Sequence, residues 1–459
     1  MTATQGSIMT LKLAAKSAAP RKQRLGIAAL VTAALLGGCS EGAELPRISD
    51  LNPFAEKEKP LPGKRIPVAL SENTAGLDVA PADRPIVLPA PKTNDSWSQP
   101  GGPASNAPGH VALGASVRQI WTGDAGQGST KSGKLTAGPV VADGHVLTLD
   151  TTGRVTAFAP TGAVVWRGSV VPDKEKAEKG FGGGLAVDGG RVYVTTGFGY
   201  VFALDAATGK KLWEKNLSSP FRMSPTAVAD KVIVVSADGN AYALAGADGS
   251  ELWKYQGPPE KAAILSNASP AIDGDAVIVP YPSGDLVALK LSDGQQMWSE
   301  SLARTRLASS LGSMTDAGRP AIDGGTVFAV GHSGRMIATT ARTGERLWSL
   351  NVPGIQAPAI AGDMVFVVDT SGQLMAVTRR DGKVLWTVKL PNATTWSGPV
   401  LAGGKLWLTS NKGHLLSVEA TTGKPDAPLN LGGPIYTGPV VAGGRMFVLT
   451  DAAKLIALQ

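Results

Sequence analysis

The chain carries few side chains able to act as metal ligands, nucleophiles or phosphate cradles, and they are scattered. It has one cysteine, Cys39, and four histidines, His110, His145, His332 and His414, far apart in sequence. Zinc sites need Cys, His or carboxylate ligands gathered together, a covalent haem needs C-x-x-C-H, and a calcium loop spaces its oxygen ligands over about twelve residues. None of these patterns is present. His332 and His414 fall where turns are expected, so they read as solvated turn residues. The Gly180–Gly184 run (GFGGG) precedes no helical pattern, which a phosphate-cradling loop requires. The expectation is no catalytic residue, no metal and no cofactor.

Cys39 is the exception, because of what precedes it. Residues 10–24 are basic with no acid, and they lead into the apolar run LGIAALVTAALL from Leu25 to Leu36. That is a signal-peptide pattern, and about twelve apolar residues are too few to span a bilayer, which takes roughly twenty. Leu36-Gly37-Gly38-Cys39 then matches the lipobox of bacterial lipoproteins, in which small residues admit the peptidase and the thiol receives diacylglycerol. An exported chain with a single cysteine forms no internal disulfide, which leaves this thiol available for acylation. The alternative, an ordinary small apolar residue beside a cleavage site, leaves its position at the end of the apolar run unexplained. Ser40, where an Asp would retain the protein at the inner membrane, resembles the outer-membrane sorting signal. The expectation is a signal peptide over 1–38 and a lipid anchor on Cys39, facing the periplasm.

Five of the basic residues (Lys12, Lys16, Arg21, Lys22 and Arg24) lie in that leader; taking them from the formal charge of +7 leaves +2. No later stretch interleaves bases with aromatics, so nucleic acid is not expected as a partner. From Ser40 to about Ser116 the chain is rich in Pro, Ala, Gly and charge and shows no sustained periodicity. Residues 39–116 therefore read as a flexible tether, although the apolar islands at Ile48–Phe54 and Pro85–Leu88 have the composition of docking points.

The elements must come from the rest. With 57 Gly, 32 Pro and 43% hydrophobic residues, the composition favours many turns and short strands. From Gly138 a unit of 38 to 50 residues recurs eight times, opening with a small residue and proline (the second unit lacks the proline), then an apolar strand and a Gly turn: GPVVADG, GGLAVDGG, SPTAVAD, SPAIDGD, RPAIDGG, APAIAGD, GPVLAGG, GPVVAGG. Alternating second and third strands follow (VYVTT, then YVFALD), then a tight turn with Gly162, Gly209, Gly249, Gly294, Gly344 or Gly382. Four residues beyond each of these glycines stands Trp166, Trp213, Trp253, Trp298, Trp348 or Trp386. This is the period of a propeller blade. One Trp per blade at one strand position implies packing between neighbouring blades, not an aromatic cage.

The eighth unit stops at KLIALQ without a fourth strand, while VRQIWT (Val117–Thr122) is an orphan fourth strand bearing Trp121. Pairing the two closes the ring and removes its open edges. The expected fold is all-β, an eight-bladed propeller of four-stranded blades over 117–459. The seventh unit (TTGKPDAPL, with Pro425 and no Trp) should have a short outer strand.

The repeat ALDAATGKKLW, Ala203–Trp213, resembles the tryptophan-docking motif of quinoprotein dehydrogenases and their relatives. Together with the lipobox, it makes residues 117–459 most similar to the BamB family of outer-membrane assembly lipoproteins. That resemblance implies a non-enzymatic scaffold that binds the POTRA repeats of the barrel subunit and helps present unfolded outer-membrane proteins. It also implies that the loops opening the fourth and fifth blades carry the contacts. Here these are Tyr255–Ser269, with Ile264 and Leu265, and Trp298–Pro320, with Arg304, Arg306, Leu307, Leu311, Met314, Asp316 and Arg319. The family has an arginine beside its leucine where this chain has Ser266. A loop folded over its own blade or lining the channel is the structural alternative. Two other functions remain: a periplasmic propeller holding a ligand or polymer in its channel, and a quinone-dependent dehydrogenase, which the lone cysteine and missing acidic cluster oppose.

Overall fold

A computed structural model describes residues 85–258, 268–303, 317–332, 334–391, 393 and 395–459. They form eight four-stranded antiparallel sheets, each a meander from an innermost to an outermost strand. In seven sheets the four strands are consecutive in sequence; the eighth combines Val440–Ala442, Arg445–Leu449 and Lys454–Leu458 with Gln119–Asp124 as its outer strand. In that last pair, Trp121 lies opposite Ala457 and Asp124 opposite Lys454. Outer strands alternate between exposed and buried side chains, as in Glu251–Gln256, while second and third strands are buried throughout. Strands with neighbours on both faces expose no side to solvent.

There is no single core. Seven apolar clusters occupy the wedges, and most join consecutive blades; blade three supplies Ile233, Ala243 and Trp253 and blade four supplies Ile272, Val279 and Leu289 to one of them. The tryptophans sit in these wedges. Each indole N–H donates to a carbonyl of the next blade, from Trp298 to Ala341 at 2.8 Å through to Trp386 to Ala420 at 3.2 Å. Each ring lies on the turn glycine of that neighbour. A Cβ on Gly294 would come 2.7 Å from Trp253, and one on Gly209 would come 2.4 Å from Trp166. Those glycines also have φ near +73°, so two separate constraints exclude a side chain there.

Blade seven ends differently. Its outer strand is only Leu429–Asn430, and the wedge to blade eight is filled from the second strand by buried Trp407, in one cluster with Val440, Met446 and Val448. Asp426 takes over part of the outer edge, accepting hydrogen bonds from Lys405 Nζ and Ser417 Oγ, both at 2.7 Å.

The expected tether needs correction over its described part. The stretch from Lys92 to Ala112 is built into the ring: Trp97, Gln99, Asn106 and Val111 are each at most 3% exposed. Their side-chain periodicity is absent because the backbone makes most of the contacts. Residues 1–84, with Cys39, lie outside the described residues.

Candidate functional site

The innermost strands of a propeller face a central channel, and each is an edge strand whose inner N–H and C=O need partners. The repeat places one residue per blade at the same point of that edge, three positions after the residue that opens each unit (Gly184 in blade two, Arg319 in blade five): Val141, Val187, Ala227, Ile272, Ile322, Ile360, Leu401 and Val441. The segment from Lys92 to Ala112 runs round the channel and meets seven of them in ring order.

It begins at blade eight, where Asn94 Nδ2 donates to Val441 O and the Asn94 carbonyl accepts from Gly443 N–H, both at 2.7 Å. At blade one, Trp97 and Val141 exchange both backbone bonds, at 2.7 and 2.9 Å. At blade two, Val187 N–H donates to Ser98 O at 2.8 Å. The Gln99 side chain then acts as a peptide group for blade three: its Nε2 donates to Ala227 O at 2.8 Å and its Oε1 accepts from Ala227 N–H at 3.1 Å. A tight turn, Gln99 to Gly102 with φ +99° at the glycine, reverses the chain. Ile272 and Ile322 N–H donate to Ala104 O and Ser105 O, both at 2.8 Å. Asn106, at φ +56°, donates from Nδ2 to Pro320 O at 3.0 Å and Pro270 O at 3.2 Å. At blade six, Ala107 packs in the cluster that contains Ile360. At blade seven, Val111 N–H donates to Leu401 O at 3.1 Å, and Gly404 N–H donates to His110 Nε2 at 2.8 Å. The other ring nitrogen of His110 is 2.7 Å from Pro89 O, an arrangement that suits the neutral Nδ1–H tautomer. The two ends of the segment then pair: Lys92 N–H with His110 O and Ala112 N–H with Lys92 O, both at 2.8 Å.

On one side of this strap a cavity of about 200 Å³ remains, with Trp97, Pro100 and Asn106 on its floor and Leu135, Ile355 and Tyr436 in its walls. Arg319 stands there, its Nη1 donating to Pro100 O at 3.0 Å. Burial pushes its guanidinium down to about 10, still charged at neutral pH. Of the residues expected to bind a partner, Arg319 is the one described, and it faces the chain's own strap. Ile264, Leu265, Arg304, Arg306, Leu307 and Asp316 lie outside the described residues.

The stems of both expected loops are described, and they meet. Tyr281, fully buried in blade four, packs against Gly257 at the start of the first loop so closely that a Cβ there would be 2.3 Å from its ring. Its carbonyl accepts from Ala317 N–H at 3.3 Å, at the end of the second loop. Burial raises the Tyr281 hydroxyl well above its ordinary value, so it stays neutral. Trp97, Gln99 and Asn106 carry no repeat pattern in the sequence, and His110 stands there only as one of four scattered histidines. The available signal was a lone Trp and a Gln-Pro-Gly-Gly turn (99–102) in a stretch with no repeat.

The quinone and metal of the dehydrogenases do not fit this arrangement. The strap runs round the channel, and among the described residues no three His, Cys, Asp or Glu side chains cluster as ligands.

The chain has 30% identity to outer membrane protein assembly factor BamB of Burkholderia pseudomallei over 141 residues, which is 30% of this chain and 34% of that one. The match thus spans about a third of that relative. The crystal structure of BamB from Moraxella catarrhalis superposes with a TM-score of 0.64 at 20% identity, covering 75% of this chain and all of that one. Quinohemoprotein alcohol dehydrogenase from Comamonas testosteroni also reaches 0.64, at 14% identity over 79% of this chain and 80% of that one, so likeness of fold does not separate the two chemistries. The family model described as outer membrane protein assembly factor BamB matches residues 151–388 and 376–459, and the chain belongs to that family.

Proposed function

We propose that this protein is a non-enzymatic scaffold lipoprotein of the outer-membrane β-barrel assembly machinery. It is held to the periplasmic face of the outer membrane by lipid on Cys39 and binds the POTRA repeats of the barrel subunit. The observation that carries this reading is the channel lined by the chain's own strap. Residues 92–112 of the chain itself take up the edge groups of the innermost strands round the channel, an arrangement that favours a scaffold over a channel built to hold a cofactor. Recognition then falls to the surface, and the two expected loops, Tyr255–Ser269 and Trp298–Pro320, have described stems that both touch Tyr281. Long loops on a rigid frame are where binding residues collect.

The test is affinity recovery from detergent-solubilised membranes. Leu265→Glu, Arg306→Glu and Asp316→Lys together are expected to reduce recovery of the barrel subunit at least 10-fold while the protein remains folded and membrane-bound. Undiminished recovery would refute the loop assignment, and absence of the barrel subunit from the wild-type eluate would refute the scaffold reading itself.

A further inference from the structure

The channel of this propeller is ringed by eight equivalent backbone positions, one per blade, and seven are bonded to a single extended segment that is continuous with the rest of the chain. The bonding groups on the ring are peptide N–H and C=O. The groups that meet them are mostly peptide groups and the amides of Asn94, Gln99 and Asn106, with His110 Nε2 accepting from Gly404 N–H; Gln99 reproduces both a peptide's donor and its acceptor, and Asn94 and Asn106 its donor. The match is therefore to backbone geometry, with side chains adding Trp97 and Val111 to the apolar cluster between blades. Such recognition is β-strand addition wrapped into a circle.

We infer that the central channel is a binding site for extended polypeptide and that residues 92–112 occupy it as an internal ligand. Upstream, Ile86 and Leu88 pack against the cluster between blades six and seven. A pull on the upstream chain is then resisted by bonds spread over the ring. Were residues 92–112 slack, the same pull would fall directly on Gln119–Asp124, the strand whose loss would open the ring. The inference does not depend on which partner the outer loops bind.

The test uses the full-length protein with a protease recognition site inserted between the exposed residues Ala115 and Ser116, cleaved under native conditions. The cut N-terminal fragment is expected to co-elute with the ring in size exclusion. A fluorescein-labelled synthetic peptide of residues 92–113, added in excess, is expected to replace it. The Gln99→Ala/Asn106→Ala variant should release its fragment at least 10-fold faster. Should the insertion perturb folding, hydrogen exchange on the uncut wild-type protein decides. The amides of Val141, Val187, Ala227, Ile272 and Ile322 should be protected and should exchange at least 10-fold faster in the double variant, with the second-strand amides of Val277 and Val279 in blade four little changed. A wild-type fragment that separates on cleavage from a folded ring, or those five amides exchanging at unprotected rates in the intact protein, would overturn the inference.

Discussion

The contact between Trp253 and Gly294 allows the wedge packing to be tested by a double-mutant cycle. Trp253 is 7% exposed, donates to Leu291 O at 3.0 Å and covers Gly294, whose φ is +73°. Trp253→Ala removes the indole from the wedge between blades three and four and should cost about 3–5 kcal/mol. Gly294→Ala in the wild type carries two penalties: roughly 1–2 kcal/mol for a Cβ in the left-handed region, and about 1–3 kcal/mol for forcing that Cβ, 2.7 Å from the ring, into a filled wedge. In the Trp253→Ala background only the first penalty remains. The double variant should therefore be more stable than the sum of the single changes predicts, by about 1–3 kcal/mol. The assay is guanidinium unfolding of each variant followed by circular dichroism, comparing midpoints where slopes agree. Effects additive within about 0.5 kcal/mol would show that ring and glycine do not share the wedge, and the assignment of the tryptophans to blade docking would be lost.

Three further outcomes are expected. Cys39→Ser removes the thiol that would carry lipid, and each acyl CH₂ contributes about 0.8 kcal/mol of membrane affinity. Cell fractionation should then move the protein from the membrane to the soluble periplasm, and continued sedimentation with membranes would refute the anchor. The hydrogen bonds from Lys405 and Ser417 hold the Asp426 carboxyl below its ordinary value. A carboxyl depressed in the folded state contributes stability above its unfolded value near 4 and loses it as pH falls through the folded one. The melting temperature of wild type should thus exceed that of Asp426→Asn at pH 7, with the gap closing below about pH 4; a gap independent of pH would exclude the ion-paired role. Gly257→Ala drives a Cβ into Tyr281 and should lower recovery of the barrel subunit while leaving the circular dichroism spectrum intact. Unaltered recovery would show that the stem does not set the loop.

Blade number, ring closure and the weak seventh outer strand could all be read from the sequence, because each repeats or visibly breaks a pattern. Trp121 was legible as a closing residue since it stands at the fourth-strand position of a unit that has no other strand. The strap was not legible, for a physical reason. Pattern reading detects side chains that alternate with burial, whereas the strap is held through peptide groups, which every residue has. Gln99 and Asn106 act once each, as substitutes for a peptide, and nothing in their neighbours marks them. Arg319 shows what residue type alone does not give. An arginine at the end of a long apolar loop reads as an interface residue by type, but its position one residue before Pro320 places it at the channel mouth, where Pro100 O is within reach.

The strap also bears on the one wedge that lacks an indole dock. Seven junctions have a tryptophan donating across to the next blade, including Trp121 to Pro160 at 2.9 Å where the ring closes; the junction of blades seven and eight has none. That is where the strap begins and ends. Asn94 is bonded to Val441 and Gly443 of blade eight, Val111 to Leu401 and Gly403 of blade seven, and Lys92 bridges the two ends of the segment. Trp97 and Val111 belong to the same apolar cluster as Trp407, Val440 and Met446. A ring of wedges is only as durable as its weakest junction, since each blade contacts only its neighbours. Loosening the strap should therefore open the molecule between blades seven and eight before anywhere else. In Trp97→Ala, amide exchange should accelerate first at Leu406, Leu408 and Met446, and little at Val277 and Val279 of blade four. Uniform acceleration round the ring would mean that the strap stabilises all junctions alike and is not the replacement for the missing dock.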